Sequence, residues 1–221
     1  LSCPICRRRP PKRFCPAKGE RICAVCCGTE REVTIDCPAD CEHLVAARRW
    51  EAEHRKPLPP EEVPYPDVRF PPELIREHRA AVSALGLTLL GYAREAPEAV
   101  DADALAALAA LAEAARTLAA GIYFERPPEA GHARALYERL AAALREAREG
   151  RTPQPAGAGA AGAPPLRDAD AFHLLVFLLR VGRLESNGRP RSRAFLEFLR
   201  RQYPREALGP AAADAPRIIT P

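Results

Sequence analysis

The chain has 221 residues, 47% of them apolar, enough for one medium domain or for a small unit joined to a larger one. Aromatic residues are only 6%, so the core must be built mainly from Leu and Ala, and the net charge of +4 is mildly basic. Its longest run of large apolar side chains, Leu174 to Leu179, falls far short of the roughly 18 residues that span a bilayer, which excludes a membrane protein.

All eight cysteines lie between Cys3 and Cys41, within a segment, residues 1–56, that reads as a cysteine-rich module. Residues 44–56 form its exit helix, with Trp50 placed to pack back on the module. Residues 57–72 hold seven prolines and read as an extended connector that cannot continue a helix. From Glu73 the pattern turns helical, and the spacing predicts a domain of about five helices over residues 73–204. The first runs to about Glu95, with Pro72 suited to its first turn. Asp101 or Asp103 caps the second, which stops at Gly121, and the third runs from about Gly131 to Glu149. A Gly-, Ala- and Pro-rich stretch over 150–166 reads as a flexible linker. Asp168 then opens an apolar helix to about Leu184, Asn187-Gly188 turns the chain, and a last helix runs from about Pro190 to Tyr203. Residues 205–221 read as a disordered tail. The fold class is therefore mainly α: a small N-terminal module followed by a helical domain.

The cysteine spacing is Cys3-x2-Cys6, Cys15, Cys23-x2-Cys26-Cys27 and Cys37-x3-Cys41. Two cysteines three positions apart on a tight turn aim both sulfurs at one ion, and zinc takes four such ligands in a tetrahedron at about 2.3 Å. Eight thiols thus match two zinc ions. In a cross-brace, Cys3, Cys6, Cys23 and Cys26 hold the first ion and Cys15, Cys27, Cys37 and Cys41 the second. The alternative groups Cys23, Cys26, Cys37 and Cys41, and leaves Cys3, Cys6, Cys15 and Cys27 or His43 for the other. Some 43 residues with few large apolar side chains cannot fold on burial alone, so metal binding must supply folding free energy. Iron–sulfur ligation is a competing reading, since Cys-Pro occurs three times and eight thiolates suffice for two clusters. Disulfides or a redox dithiol at Cys23 and Cys26 are a third, without the strand–helix context such dithiols have.

The runs Cys3-Pro4-Ile5-Cys6, Lys12-Arg13-Phe14-Cys15-Pro16 and Ile22-Cys23-Ala24-Val25-Cys26-Cys27 make residues 3–43 similar to the HIT and MYND classes of cross-brace zinc finger. That resemblance implies a two-zinc module used mainly to bind proteins. The module also resembles the N-terminal part of uncharacterised bacterial cysteine-rich proteins with a Cys-Cys-Gly-Thr segment, here Cys26 to Thr29, a likeness that brings no activity with it.

Residues 1–56 carry 12 basic residues against 8 acidic ones, while the remainder balances at 21 and 21. Two zinc ions on eight thiolates add about −4, which brings the module near neutrality. Two local clusters survive as nucleic-acid candidates: Arg7, Arg8, Arg9, Lys12 and Arg13, and then Arg189, Arg191, Arg193, Arg200 and Arg201. The turn between the last two helices is longer than that of a DNA-reading helix-turn-helix, so any such binding is expected to be weak and non-specific. No phosphate loop, nucleophile elbow, zinc-protease motif or carboxylate pair stands out. The sequence accordingly predicts a non-enzymatic zinc-binding adaptor with a protein partner. A nucleic-acid-associated regulator and an iron–sulfur redox protein are the alternatives. The N-terminus shows no basic segment followed by an apolar one, so a cytoplasmic location is expected.

Overall fold

The computed structural model describes residues 2–151 and 165–203. The chain is mainly helical, with a two-stranded hairpin and a cysteine cluster near its N-terminus. Strand β1 (Arg13–Cys15) pairs antiparallel with β2 (Glu20–Ile22), placing Arg13 opposite Ile22 and Cys15 opposite Glu20. Gly19 closes that hairpin at φ +65°, a conformation glycine adopts without steric cost, and its N–H donates to the Cys15 carbonyl. Helices α1 (Ala24–Glu30) and α2 (Glu42–Glu53) complete the N-terminal region. Its apolar centre consists of Ile22, Ile35 and five cysteines, with Ile5, Cys6 and Cys37 packed beside them, which is too little to hold 43 residues by burial alone.

The helices that follow are α3 (Pro72–Glu77), α4 (Arg79–Glu95), α5 (Asp101–Ala119), α6 (Gly131–Arg148), α7 (Asp168–Glu185) and α8 (Ala194–Gln202). Helix α5 lies at the centre, against α6 and α7, and α4 packs on α6 and α8. The composition explains this arrangement. Leu105, Leu108 and Leu111 supply apolar volume, while buried Ala104, Ala107, Ala112 and Ala115 let neighbouring helices approach several sides of α5 closely. Gly182 on α7 serves the same end, because a Cβ there would stand 2.7 Å from Leu105 Cδ2 and 3.1 Å from Phe195 Cε1.

Three expectations need revising. The single helix expected from Glu73 to Glu95 is broken at His78, whose buried imidazole lies 3.7 Å from Asp170. Trp50 does not return to the module; it is 60% exposed and stacks on His54, one helical turn onward. The proline-rich connector is not merely a spacer. Arg180 on α7 donates to the carbonyls of Pro64, Tyr65 and Val68, and Tyr65 and Phe70 pack edge-on against Phe172 and Phe177. The tail, and all of the linker beyond its first two and last two residues, lie outside the described residues. No described helix is long and apolar enough to cross a membrane.

Asp101 does not cap its own helix. Val100 is the N-cap of α5, with its N–H held by the Asp103 carboxylate at 3.0 Å. The buried Asp101 carboxylate instead accepts from the Phe195 and Leu196 N–H groups and the Ser192 hydroxyl, and so caps α8 from across the fold. Asp101→Ala should therefore cost about 2–4 kcal/mol, because buried donors lose their acceptor. Gly182→Ala should also destabilise, through overlap with Leu105. Urea denaturation of each variant against the parent checks both, and parental stability in either would refute that assignment.

Candidate metal centre

The first thiol pair sits on a turn. Cys3 O accepts from Arg7 N–H at 2.7 Å, and Arg7 closes the bend at φ +53°. The second pair opens α1, where Cys23 is the N-cap and its sulfur accepts from Cys26 N–H at 3.4 Å. The Cys23 N–H in turn donates to Cys3 Sγ at 3.3 Å, which joins the two pairs. As a result the sulfurs of Cys3, Cys6, Cys23 and Cys26 all lie within 4.8 Å of one another. Cys3, Cys23 and Cys26 are buried and Cys6 is half-buried. All eight cysteines are free thiols. Cys6 Sγ and Cys23 Sγ stand 3.9 Å apart, well beyond a disulfide bond but close to the edge of a tetrahedron with Zn–S of about 2.3 Å. This four-cysteine group can hold a single metal ion, and it is the first set of the cross-brace pairing.

The electrostatics agree with the geometry. Backbone N–H groups of Arg8 and Arg9 bring the Cys6 thiol down to about 6. Burial pushes Cys3 up, but amides of Cys6, Cys23 and Ile5 outweigh it and leave the thiol lowered. Burial, with the thiols of Cys23, Cys6 and Cys3 adding to it, pushes Cys26 up to about 12. Without a cation the group therefore keeps a proton at neutral pH. With one, every sulfur becomes a thiolate ligand.

Cys15, Cys27, Cys37 and Cys41 line a cavity of about 10 Å³ beside Ile35 and Leu44. Burial raises the Cys37 thiol, and charge on Cys41, Cys15 and Glu32 adds to the effect. Arg13 Nη1 points at Cys27 Sγ from 3.6 Å. His43 borders this cavity, but its Nε2 stands 3.6 Å from Glu42 and joins no ligand group among the described residues.

The arginines divide into two kinds. Arg7, Arg8, Arg9 and Lys12 are exposed on the loop after the first pair, and Arg200 and Arg201 are exposed on α8, with Arg200 paired to Glu197. Arg189 and Arg193 are half-buried and turned inward. Arg189 donates to the carbonyls of Gly28 and Arg31, and Arg193 pairs with Asp36 at 2.6 Å, with Arg191 nearby at 3.8 Å. The sequence reading missed Glu32, Arg48 and Asn187. The Glu32 carboxylate is buried and receives Arg48 at 2.7 Å and Asn187 at 2.8 Å. No local pattern announces this clasp, because Asn187 and Glu32 lie 155 residues apart in the chain.

No protein-family model, no curated protein and no solved structure matches this chain.

Loading the reduced, metal-free chain with zinc at pH 7 should release protons, because Cys26 must surrender one to become a ligand. A weakly buffered titration followed with a pH indicator measures this. Loading with no proton release would contradict the assigned protonation of Cys26.

Proposed function

We propose that this chain is a non-enzymatic zinc-binding adaptor whose metal module presents a surface to a protein partner. The observation that carries this reading is the closed four-cysteine group. A catalytic zinc keeps a coordination position for water or substrate, whereas four thiolates around one ion leave none, which is the mark of a structural site. Sulfur spacing also favours a single ion over an iron–sulfur cluster, in which ligand thiolates on different irons stand farther apart than a tetrahedral edge.

The reading extends to a second zinc on Cys15, Cys27, Cys37 and Cys41. These four free thiols, three buried and Cys37 half-buried, border one small cavity, although among the described residues only the first set draws its sulfurs within 4.8 Å of one another. Arg13 beside Cys27 would offset part of the negative charge of that site. The protein partner is supported by Phe14, Val25, Val33, Val45 and Trp50, large apolar side chains left exposed in so short a region. A second reading, weak and non-specific nucleic-acid binding, has the exposed Arg7, Arg8 and Arg9 in its favour. Arg189 and Arg193 give it less support, since their guanidinium groups already serve the module.

Elemental analysis of protein purified without oxygen should find two zinc ions per chain and a colourless solution; less than one ion, or a brown chromophore, would sink the metal reading. Val45→Ala with Trp50→Ala should leave metal content unchanged and abolish co-purification of the partner. If a duplex is bound instead, affinity should fall with salt at a log–log slope of about −0.9 per phosphate contacted. Binding that is sequence-selective and survives physiological salt would promote the nucleic-acid reading above the adaptor.

A further inference from the structure

Residues 28–36 are bracketed by thiols, with Cys26 and Cys27 before them and Cys37 after. Within this span lie the groups that meet the turn between α7 and α8. Arg189 Nη1 donates to the carbonyls of Gly28, at 3.0 Å, and Arg31, near the end of α1. Arg191 N–H donates to Glu32 O at 2.8 Å, and Asn187 Nδ2 donates to the Glu32 carboxylate at 2.8 Å. Arg193 closes the line on Asp36 at 2.6 Å. Glu32 is 2% exposed and sits at φ +55°, a left-handed conformation that its four hydrogen-bond partners (Arg48, Asn187, the Arg191 amide and the Ile35 carbonyl) hold in place.

Two features make this joint conditional. The apolar cluster of the module and that of the helices are separate, so the junction is chiefly polar. Polar contacts of this kind depend on direction: the carbonyls of Gly28 and Arg31 face one guanidinium only while α1 and the following loop keep their shape. That shape is fixed at both ends by cysteines, in a module with too small an apolar centre to persist alone. The far side of the joint has independent support, because Ser192 is anchored to Asp101 and α8 is capped by the same carboxylate.

We infer that the α7–α8 turn is an intramolecular receptor for the metal-loaded module, so that metal loss releases the module and turns Arg189 and Arg193 out to solvent. The inference rests on the metal reading above and adds a consequence for the helical half. Metal occupancy then sets which surface the chain displays: loaded, a docked module with its arginines satisfied; stripped, a cationic turn.

The test uses the full-length chain, zinc-loaded or treated with a high-affinity chelator, followed by hydrogen exchange. On chelation, amides in both 28–36 and 187–193 should exchange roughly tenfold faster or more, while interior amides of α5 and α7 hold. Modification with an arginine-specific dicarbonyl should rise at Arg189 and Arg193 on chelation and stay level at exposed Arg200. Zinc-loaded Arg189→Ala should raise exchange in both segments at unchanged metal content, and Glu32→Gln should do so in the same direction if the first variant folds poorly. A turn that stays protected after chelation overturns the proposal, as does a folded, loaded variant with unchanged exchange. Failure of the metal reading is distinguishable, because it appears as missing zinc before any exchange is measured.

Discussion

Four sulfurs within 4.8 Å of one another cannot all carry charge unless a cation sits among them, and the N-terminal region is organised around that constraint. The hairpin, the cysteine turn and the first turn of α1 converge on one point, yet the apolar contacts that accompany them are few. In an ordinary domain, hydrophobic burial sets the fold and polar groups adjust. Here the apolar centre is small, with Ile22 and Ile35 among cysteines, and on the proposed metal reading ligand geometry takes over the part that burial plays elsewhere.

The helical half follows the usual order. Its centre is an Ala- and Leu-rich helix, and its precision comes from small residues that let backbones close up, as Gly182 does between Leu105 and Phe195. The two halves meet through arginines. Arg180 binds the connector to α7, and Arg189 and Arg193 bind the module to the α7–α8 turn. Guanidinium suits this work because its planar fork presents several donors at once to carbonyl and carboxylate oxygens. The preference for arginine, 30 residues against three lysines, thus contributes to the architecture.

Particular residues show what was legible in the sequence. The leucines of α5 and α6 recur at helical spacing and the cysteine pairs at turn spacing, because both depend on neighbours a few positions away. The clasp on Glu32 depends on Asn187, 155 residues distant, and leaves no periodic trace. Arg189 is harder still, since its partners are backbone carbonyls, which any residue supplies. His78 reads as one more helical position until Asp170 is seen beside it. Trp50 shows the opposite error: a large aromatic ring invites burial, yet the imidazole of His54 one turn away gives it company at the surface.

The separation between the module and its dock also orders events during synthesis. The last cysteine is Cys41, whereas the receiving turn begins near Asn187, and Arg193 lies 157 residues beyond its partner Asp36. At about 5–20 residues per second, the thiols leave the ribosome roughly 8–30 s before the turn that receives them exists. The nine residues of α8 then require Asp101, made 94 residues earlier than Phe195, to supply their cap. On the proposed metal reading, the first 41 residues are thus free to take up their ion well before their dock exists, and docking comes late in folding.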